Sequence, residues 1–245
     1  MTTDTPSPRR KWHLQRWLLL LAAGFLAYGG WTQYAFRAAL KEARAMGWEV
    51  AYTDPSEEIR ADWKAAFKKE TWLDGVTYVD IDTGEAFEQN ITIVHRLNPK
   101  DLSIDNAPTL RDLSALERLT RLKAVWLNGC TGLTSVDALK NLSALQEVRL
   151  NDCTGLTNVD ALKNLSALQW VYLNGCKGLT NVDALKNLSA LQEVYLTDCT
   201  GLTNVDALKN LTALREVYLP GCTGLTKESV ASLKAALPNA AIIGP

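Results

Sequence analysis

Five cysteines are the residues best able to do chemistry in this 245-residue chain, and their spacing is regular: Cys130, Cys153, Cys176, Cys199 and Cys222 follow one another at 23 residues. Thiolates at such intervals could hold zinc or form disulfides, but both need convergence. Zinc asks for ligands approaching from several directions, whereas identical positions in a repeating chain all point the same way. In-register side chains also keep their Cβ atoms too far apart for an easy disulfide, and five is odd. The spacing therefore predicts buried free thiols that pack as small soft side chains, each with its weak donor near a carbonyl. Only His13 and His95 could supply an imidazole. Neither has a cysteine or another histidine near it in sequence, and no phosphate loop or nucleophile motif is present. The carboxylates Asp74, Asp80, Asp82, Glu85 and Glu88 lack the order of a calcium loop and read as solvated surface. No catalytic residue, metal or cofactor is expected.

A second set of residues follows the same interval. Trp126, Arg149, Tyr172, Tyr195 and Tyr218 form one column, and Ala124, Glu147, Trp170, Glu193 and Glu216 form the column beside it. If consecutive copies stack as strands, the result is a stripe of rings bordered by carboxylates. Trp, Tyr and Arg are the residues most enriched in protein-binding hot spots, which makes Trp126, Arg149, Trp170, Tyr172, Tyr195 and Tyr218, with Glu147, Glu193 and Glu216, the candidate protein-binding residues. The competing reading is that rings stacked between neighbouring strands only stabilise the sheet.

The elements that must position these residues come from a 23-residue internal repeat, which begins in near-identical form at Leu145, Leu168 and Leu191. A degenerate copy begins near Pro99, where Leu102, Ile104, Ala107 and Leu110 take the places of Val125, Leu127, Cys130 and Leu133. Within a copy, Leu122, Val125, Leu127, Cys130, Leu133, Val136, Leu139 and Leu142 are all apolar or soft, so each coil turns eight side chains to one side. A single coil cannot bury such a face, but stacked coils can. Val125 and Leu127 are two apart, as a strand requires, so neighbouring copies should pair in parallel. Asp137, Asp160, Asp183 and Asp206 precede Ala-Leu-Lys-Asn-Leu, where a carboxylate could cap a short helical turn on the opposite wall. After Leu225 the spacing slips, and residues 237 to 242 can supply one last strand as a terminal cap.

The pattern Leu-x-x-Val-x-Leu-x-x-Cys-x-Gly-Leu resembles the leucine-rich repeat family. Its Leu-Thr-Asn-Val-Asp-Ala-Leu-Lys-Asn-Leu portion is similar to internalin-type repeats, and Cys-Thr-Gly-Leu-Thr to the cysteine-containing subclass. The resemblance covers about residues 99 to 245. It implies a curved solenoid with a parallel sheet on its concave side, and a concave face that binds other proteins. A wall-sorting signal and an F-box are both missing, so neither of those biological roles carries over.

Charge divides the chain into three segments. Residues 1 to 46 have a net charge of +5, residues 47 to 98 of −6, and residues 99 to 245 balance. With a net charge of −1, 47% hydrophobic and 22% charged residues, the chain is neither a disordered tail nor a nucleic-acid binder. From Trp17 to Phe36 it runs without a charge for about the ~30 Å of a bilayer core, after a basic tail at 1 to 16 that includes Arg9, Arg10, Lys11 and Arg16. Trp12, Trp17, Trp31 and Tyr34 lie near its ends, as interfacial rings do. A cleaved signal peptide is the alternative, with Leu18 to Tyr28 as its apolar region and Ala43-Arg44-Ala45 as its cleavage site. The apolar run continues past Gly29-Gly30, which favours an uncleaved signal anchor. The basic tail then favours repeats outside the cytoplasm.

Residues 37 to 98 read as a juxtamembrane helix and a small α+β cap. Arg37 to Met46 continues as helix and stops at Gly47. A second helix starts at Asp54-Pro55 and runs to about Lys69. Gly75 to Ile81 and Asn90 to Leu97 read as two strands around a turn at Asp82-Thr83-Gly84. The expected fold class is α/β: a leucine-rich repeat solenoid at 99 to 245, preceded by a transmembrane helix and the cap. The expected function is a non-enzymatic, single-pass membrane protein that binds an unidentified protein or peptide, with a structural spacer as the alternative. An enzyme built on the carboxylates and His95 of residues 47 to 98 is the least supported reading.

Overall fold

The computed structural model describes residues 38, 41–46, 49–52, 76–81, 87 and 91–245. Among the described residues, nine strands form one sheet in chain order. Strand β1 (Glu49–Tyr52) pairs antiparallel with β2 (Val76–Asp80), and every later pair is parallel. Strands β3 (Asp101–Ser103), β4 (Ala124–Trp126), β5 (Glu147–Arg149), β6 (Trp170–Tyr172), β7 (Glu193–Tyr195) and β8 (Glu216–Tyr218) repeat at the 23-residue interval, and β9 (Ala241–Ile243) closes the array. The strands are short because each coil must turn away from the sheet to reach its other wall. There the chain makes 3₁₀ turns at Ser114–Arg118, Asp137–Leu139, Asp160–Asn164, Asp183–Leu185 and Asp206–Leu208.

Between the two walls lies the core. Leu122, Val125, Leu127, Cys130, Leu133, Val136, Leu139 and Leu142 are all buried, and so are their equivalents one period later. In β5 to β8 the central valine is buried while its two neighbours are half-buried, the alternation that a one-sided sheet imposes. Full burial of one such side chain stabilises by roughly 1.5–3 kcal/mol, so consecutive coils contribute the driving force that an isolated coil lacks.

The repeat begins earlier than its sequence suggests. Val79 stands opposite Leu102, and the Ile81 N–H donates to Ser103 O at 3.0 Å, just as Ile104 N–H donates to Trp126 O at 2.8 Å. Val79 and Ile81 therefore occupy the inward positions one period before Leu102 and Ile104, and both are buried. The sheet runs on across residue 99, and the amino-terminal residues enter it as strands.

The region expected as a second cap strand at Asn90–Leu97 is instead helix α1 (Ile91–Leu97). The β-branched run Ile91 to Val94 suggested a strand, but Val94 and Leu97, three apart, are buried, and Ile91 and Ile93 pack beside the core. Helix α1 ends at Asn98, which takes φ 43° and donates its N–H to Val94 O at 2.8 Å, and Pro99 follows. The helix expected at Arg37 to Met46 is present at residues 41–45. Its Ala43 is buried in the common core, and Glu42 pairs with Arg96 of α1 at 3.2 Å. Strand β1 was not foreseen. The apolar segment Trp17–Phe36, the helix expected at 54 to 69 and the turn at Asp82-Thr83-Gly84 lie outside the described residues. Among the described residues, no helix is long and apolar enough to cross a membrane.

The 3₁₀ turns are held differently from expectation. Asp137, Asp160, Asp183 and Asp206 open them, but no carboxylate caps its turn. The acceptors lie two residues earlier: Ser135 Oγ takes the Asp137 N–H at 3.0 Å, and the Asn158, Asn181 and Asn204 side-chain oxygens take those of Asp160, Asp183 and Asp206. These are side-chain turns of the kind that Ser and Asn favour. At the carboxyl end the last turn lengthens into helix α2 (Lys227–Ala236), capped by Thr226, whose Oγ1 accepts from Ser229 N at 3.1 Å. The foreseen final strand is β9, and its Ile242 is buried while both its neighbours in the strand are exposed.

The glycine two residues after each cysteine is demanded by coil spacing. A Cβ on Gly201 would lie 2.4 Å from the carbonyl oxygen of Lys177 in the preceding coil. Backbone cannot yield there without breaking the register on either side. Gly201→Ala should lower unfolding stability by about 1–3 kcal/mol, as overpacking does elsewhere. Urea denaturation checks this, and an unchanged midpoint would show that the coils can part.

Candidate functional site

The strand register sets the outward side chains into the two expected columns. Trp126 stands opposite Arg149, Arg149 opposite Tyr172, Tyr172 opposite Tyr195, and Tyr195 opposite Tyr218. Tyr172 and Tyr195 stack with ring centroids 4.7 Å apart and planes inclined by 11°, and Tyr195 and Tyr218 stack at 4.6 Å and 11°. The spacing of stacked rings matches the ~4.8 Å between strands, so the sheet itself holds them face to face.

Arg149 continues the stack as a cation. Its guanidinium carbon lies 5.1 Å from the Trp126 ring centroid and 4.8 Å from that of Tyr172, within the range of cation–π attraction. Its Nε donates to Glu147 Oε1, two residues back on the same strand. All five residues from Trp126 to Tyr218 thus form one unbroken ladder of flat groups, each half-buried by its neighbours.

The second column places Glu147 opposite Trp170, Trp170 opposite Glu193, and Glu193 opposite Glu216. Ala124, which heads this column, is buried. Asp101 precedes it by one strand. The Tyr195 hydroxyl bridges two carboxylates, lying 3.1 Å from Glu216 Oε2 and 3.3 Å from Glu193 Oε2. Loss of solvent, and then its hydrogen bond to Glu216, push the Tyr195 phenol well above the ordinary tyrosine range. Tyr172 moves the same way, through desolvation and the nearby Glu193. Both phenols stay neutral donors through physiological pH. Asp101 is raised as well, by desolvation and then by Glu147.

Turn residues beside this face carry a polar ladder that the sequence reading did not single out. Asn128 donates its backbone and side-chain N–H groups to Asp105 Oδ1, at 2.8 and 2.9 Å. Asn151 does the same to Asn128 Oδ1, at 3.2 and 2.8 Å. The backbone N–H of Asn174 then uses Asn151 Oδ1, and that of Thr197 uses Asn174 Oδ1. The next equivalent position is Pro220, which has no N–H to satisfy. The signal in the sequence is an Asn at each of three equivalent positions, Asn128, Asn151 and Asn174, two residues before a cysteine.

Each of the five cysteines is buried and free. The Cys130 thiol donates to Ile104 O at 3.2 Å, Cys153 to Leu127 O at 3.1 Å, Cys176 to Leu150 O at 3.1 Å, Cys199 to Leu173 O at 3.0 Å and Cys222 to Leu196 O at 2.9 Å. Burial pushes Cys130 up to about 11 and Cys176 up to about 12, and raises Cys153 further. A thiol so held is a poor nucleophile, since the thiolate is the reactive form. Among the described residues, no group of three or more His, Cys, Asp or Glu is placed to hold a metal ion. His95 joins two elements: its Nε2 lies 2.7 Å from Ala115 O, which ties α1 to the first 3₁₀ turn. Asp80 sits in β2, and Asp74, Asp82, Glu85 and Glu88 lie outside the described residues.

Residues 94–184 match the family model for the leucine-rich repeat domain of EndoS, an endo-β-N-acetylglucosaminidase. No curated protein matches the chain. Among solved structures, internalin C2 of Listeria monocytogenes is similar over 70% of this chain and 72% of its own, with 24% identity and a TM-score of 0.53. A leucine-rich repeat protein of Leptospira interrogans is similar over 62% of this chain, with 20% identity and a TM-score of 0.51; the match spans 38% of that protein. The fold is that of a leucine-rich repeat solenoid.

The thiol geometry has a direct chemical readout. A small aromatic disulfide reagent should label none of the five cysteines in the folded protein near pH 8, and all five after denaturation in guanidinium. Rapid labelling of Cys130 or Cys222 in the folded state would show that the ends of the array open.

Proposed function

We propose that this chain is a non-enzymatic interaction module, anchored in a membrane through Trp17–Phe36, that binds a protein or peptide on the open face of its repeat sheet. The observation that carries this reading is the ladder of Trp126, Arg149, Tyr172, Tyr195 and Tyr218, with Trp170, Glu147, Glu193 and Glu216 beside it. Rings held at 4.6 to 4.7 Å by strand pairing have little freedom left to lose on binding. Preorganised aromatic surface of this kind turns more of its contact energy into affinity. The solenoid fold that the internalin C2 likeness supports presents such a sheet as an extended surface.

The same stacking also suits the second reading, a spacer in which the rings serve only the sheet. Photo-cross-linking in cells separates the two. A photoreactive residue replacing Tyr218 should give a discrete adduct, and one replacing Lys163 in the 3₁₀ turn of the opposite wall should give none. The double change Tyr172→Ala and Tyr195→Ala should reduce the Tyr218 adduct by more than about tenfold, as loss of hot-spot residues does. Circular dichroism should show the solenoid retained. Adducts from both walls, or an adduct indifferent to the double change, would favour the spacer.

Anchoring and topology have their own test. The basic tail ahead of Trp17 supports an orientation with the repeats outside the cytoplasm. With a tag after Pro245, an impermeant protease should remove the tag from sealed cells, and deletion of residues 1–36 should release the protein from the membrane fraction. Protection of the tag would reverse the topology. Release without the deletion would remove the anchor.

A further inference from the structure

We propose that the occupant of the open sheet face is an extended peptide segment bearing arginine or lysine, whose cationic groups pair with Glu193 and Glu216 beside the stacked Tyr172, Tyr195 and Tyr218 rings. The inference rests on the reading that this face binds a protein or peptide, and it names the chemistry of the partner.

The chain contains its own example of the contact. On β5, Glu147 and Arg149 stand two apart, and the guanidinium lies between the rings of Trp126 and Tyr172 while its Nε donates to Glu147. A carboxylate and a flat aromatic face together form the seat of one cation. On β7 and β8 the carboxylate recurs as Glu193 and Glu216, but Tyr195 and Tyr218 stand where β5 has its cation. The carboxylates are repeated and their cation is not.

Charge on this face is correspondingly out of balance. Asp101, Glu147, Glu193 and Glu216 occupy one column of outward positions, and Arg149 is the basic residue of the other, already paired with Glu147. Glu193 and Glu216 are direct register partners on neighbouring strands, an arrangement in which like charges repel. Among the described residues neither has an ion-pair partner, and one phenol proton from Tyr195 is shared between them. A guanidinium or ammonium arriving from outside would relieve that repulsion by pairing with both carboxylates. Asp101 adds a carboxylate at the other end of the column, raised first by desolvation and then by Glu147, two strands away, and lowered by Lys123 and Lys100. Phosphate-rich partners are disfavoured by the column of carboxylates.

The test uses the full chain in nanodiscs of zwitterionic lipid and a short fluorescein-labelled peptide alternating arginine and serine. Its glutamate–serine counterpart serves as the control. Fluorescence anisotropy at about 0.15 M salt should rise saturably with the arginine peptide and stay flat with the glutamate peptide. The double variant Glu193→Gln, Glu216→Gln should weaken binding by about tenfold or more, in the range for a charge pair that loses one partner. Asp160→Asn with Asp183→Asn, which removes the same charge from the opposite wall, should leave binding unchanged. No saturable binding of the arginine peptide overturns the inference, and so does equal weakening by both double variants, which would mean general counter-charge attraction. If the arginine peptide fails while the Tyr218 adduct in cells persists, the face still binds a partner and only its basic character falls. If both fail, the interaction reading falls with it.

Discussion

The whole structure depends on one spatial constraint: a coil of this chain has an apolar side that only the next coil can cover. The contacts that join one coil to the next therefore link equivalent or nearly equivalent positions. Strands pair at 23-residue offsets, the asparagine side chains reach residues 23 away, and the thiols reach carbonyls 26 away. The first two return a side chain or strand to its own position one coil back. The third crosses the coil interior to the residue three before that position. Such a molecule has no single centre, and its stability is close to a sum of interfaces between neighbours. Its two ends are then the places that need special structure. At one end β1 turns antiparallel on β2, and at the other a 3₁₀ turn grows into α2 before β9 closes the sheet.

Polar groups follow the same rule, because burying a coil also buries its turns. The left-handed position in each turn is filled alternately by Asn106, Gly129, Asp152, Gly175, Asp198 and Gly221, with φ between 55° and 72°. The alternation has a steric reason. A Cβ on Gly175 would lie 2.2 Å from the Asp152 carboxylate, and one on Gly221 would lie 2.0 Å from that of Asp198. Each acidic side chain leans across the turn of the next coil, into space that a glycine there leaves empty. Two consecutive coils with Asp at this place would require the first carboxylate to swing aside. A repeat that is 23 residues long in sequence is thus partly a two-coil repeat in packing.

Most of the solenoid was legible in the sequence because its signal is redundant: eight inward positions recur in each coil, and a misreading of one is corrected by the others. The columns of Trp126 to Tyr218 and of Glu147 to Glu216 followed from the period alone. What was hidden lay where redundancy ends. Ile91 to Val94 is rich in β-branched residues, and without copies to compare, local propensity pointed to a strand where tertiary packing of Val94 and Leu97 made a helix. Val79 and Ile81 keep the period, but no cysteine or Gly-Leu follows them, so the first coil went unrecognised. The capping role was assigned to Asp137 and its equivalents because carboxylates are common caps, whereas Ser135 and the three asparagines stand two residues earlier, where a side chain reaches the N–H that needs an acceptor. Arg149 was legible as a member of its column but not as a cation between two rings, since stacking geometry does not show in a list of residue types.

The open face is the one place where the register serves something other than burial. Inward positions repeat because the core tolerates little else. Outward positions have no such requirement, and solvated strands commonly carry polar residues there. Here the outward positions are constrained nonetheless. Rings in three successive coils stack at strand spacing, Arg149 extends the stack, and Glu193 and Glu216 are brought into repulsive proximity on neighbouring strands. Ring stacking stabilises the sheet without help, so stability alone accounts for the tyrosines. It does not account for two carboxylates side by side, which work against the same sheet. A feature that opposes stability at a surface is explained by what relieves it, and a cation paired with a carboxylate of this column is the arrangement that Arg149 and Glu147 already demonstrate two coils before Glu193.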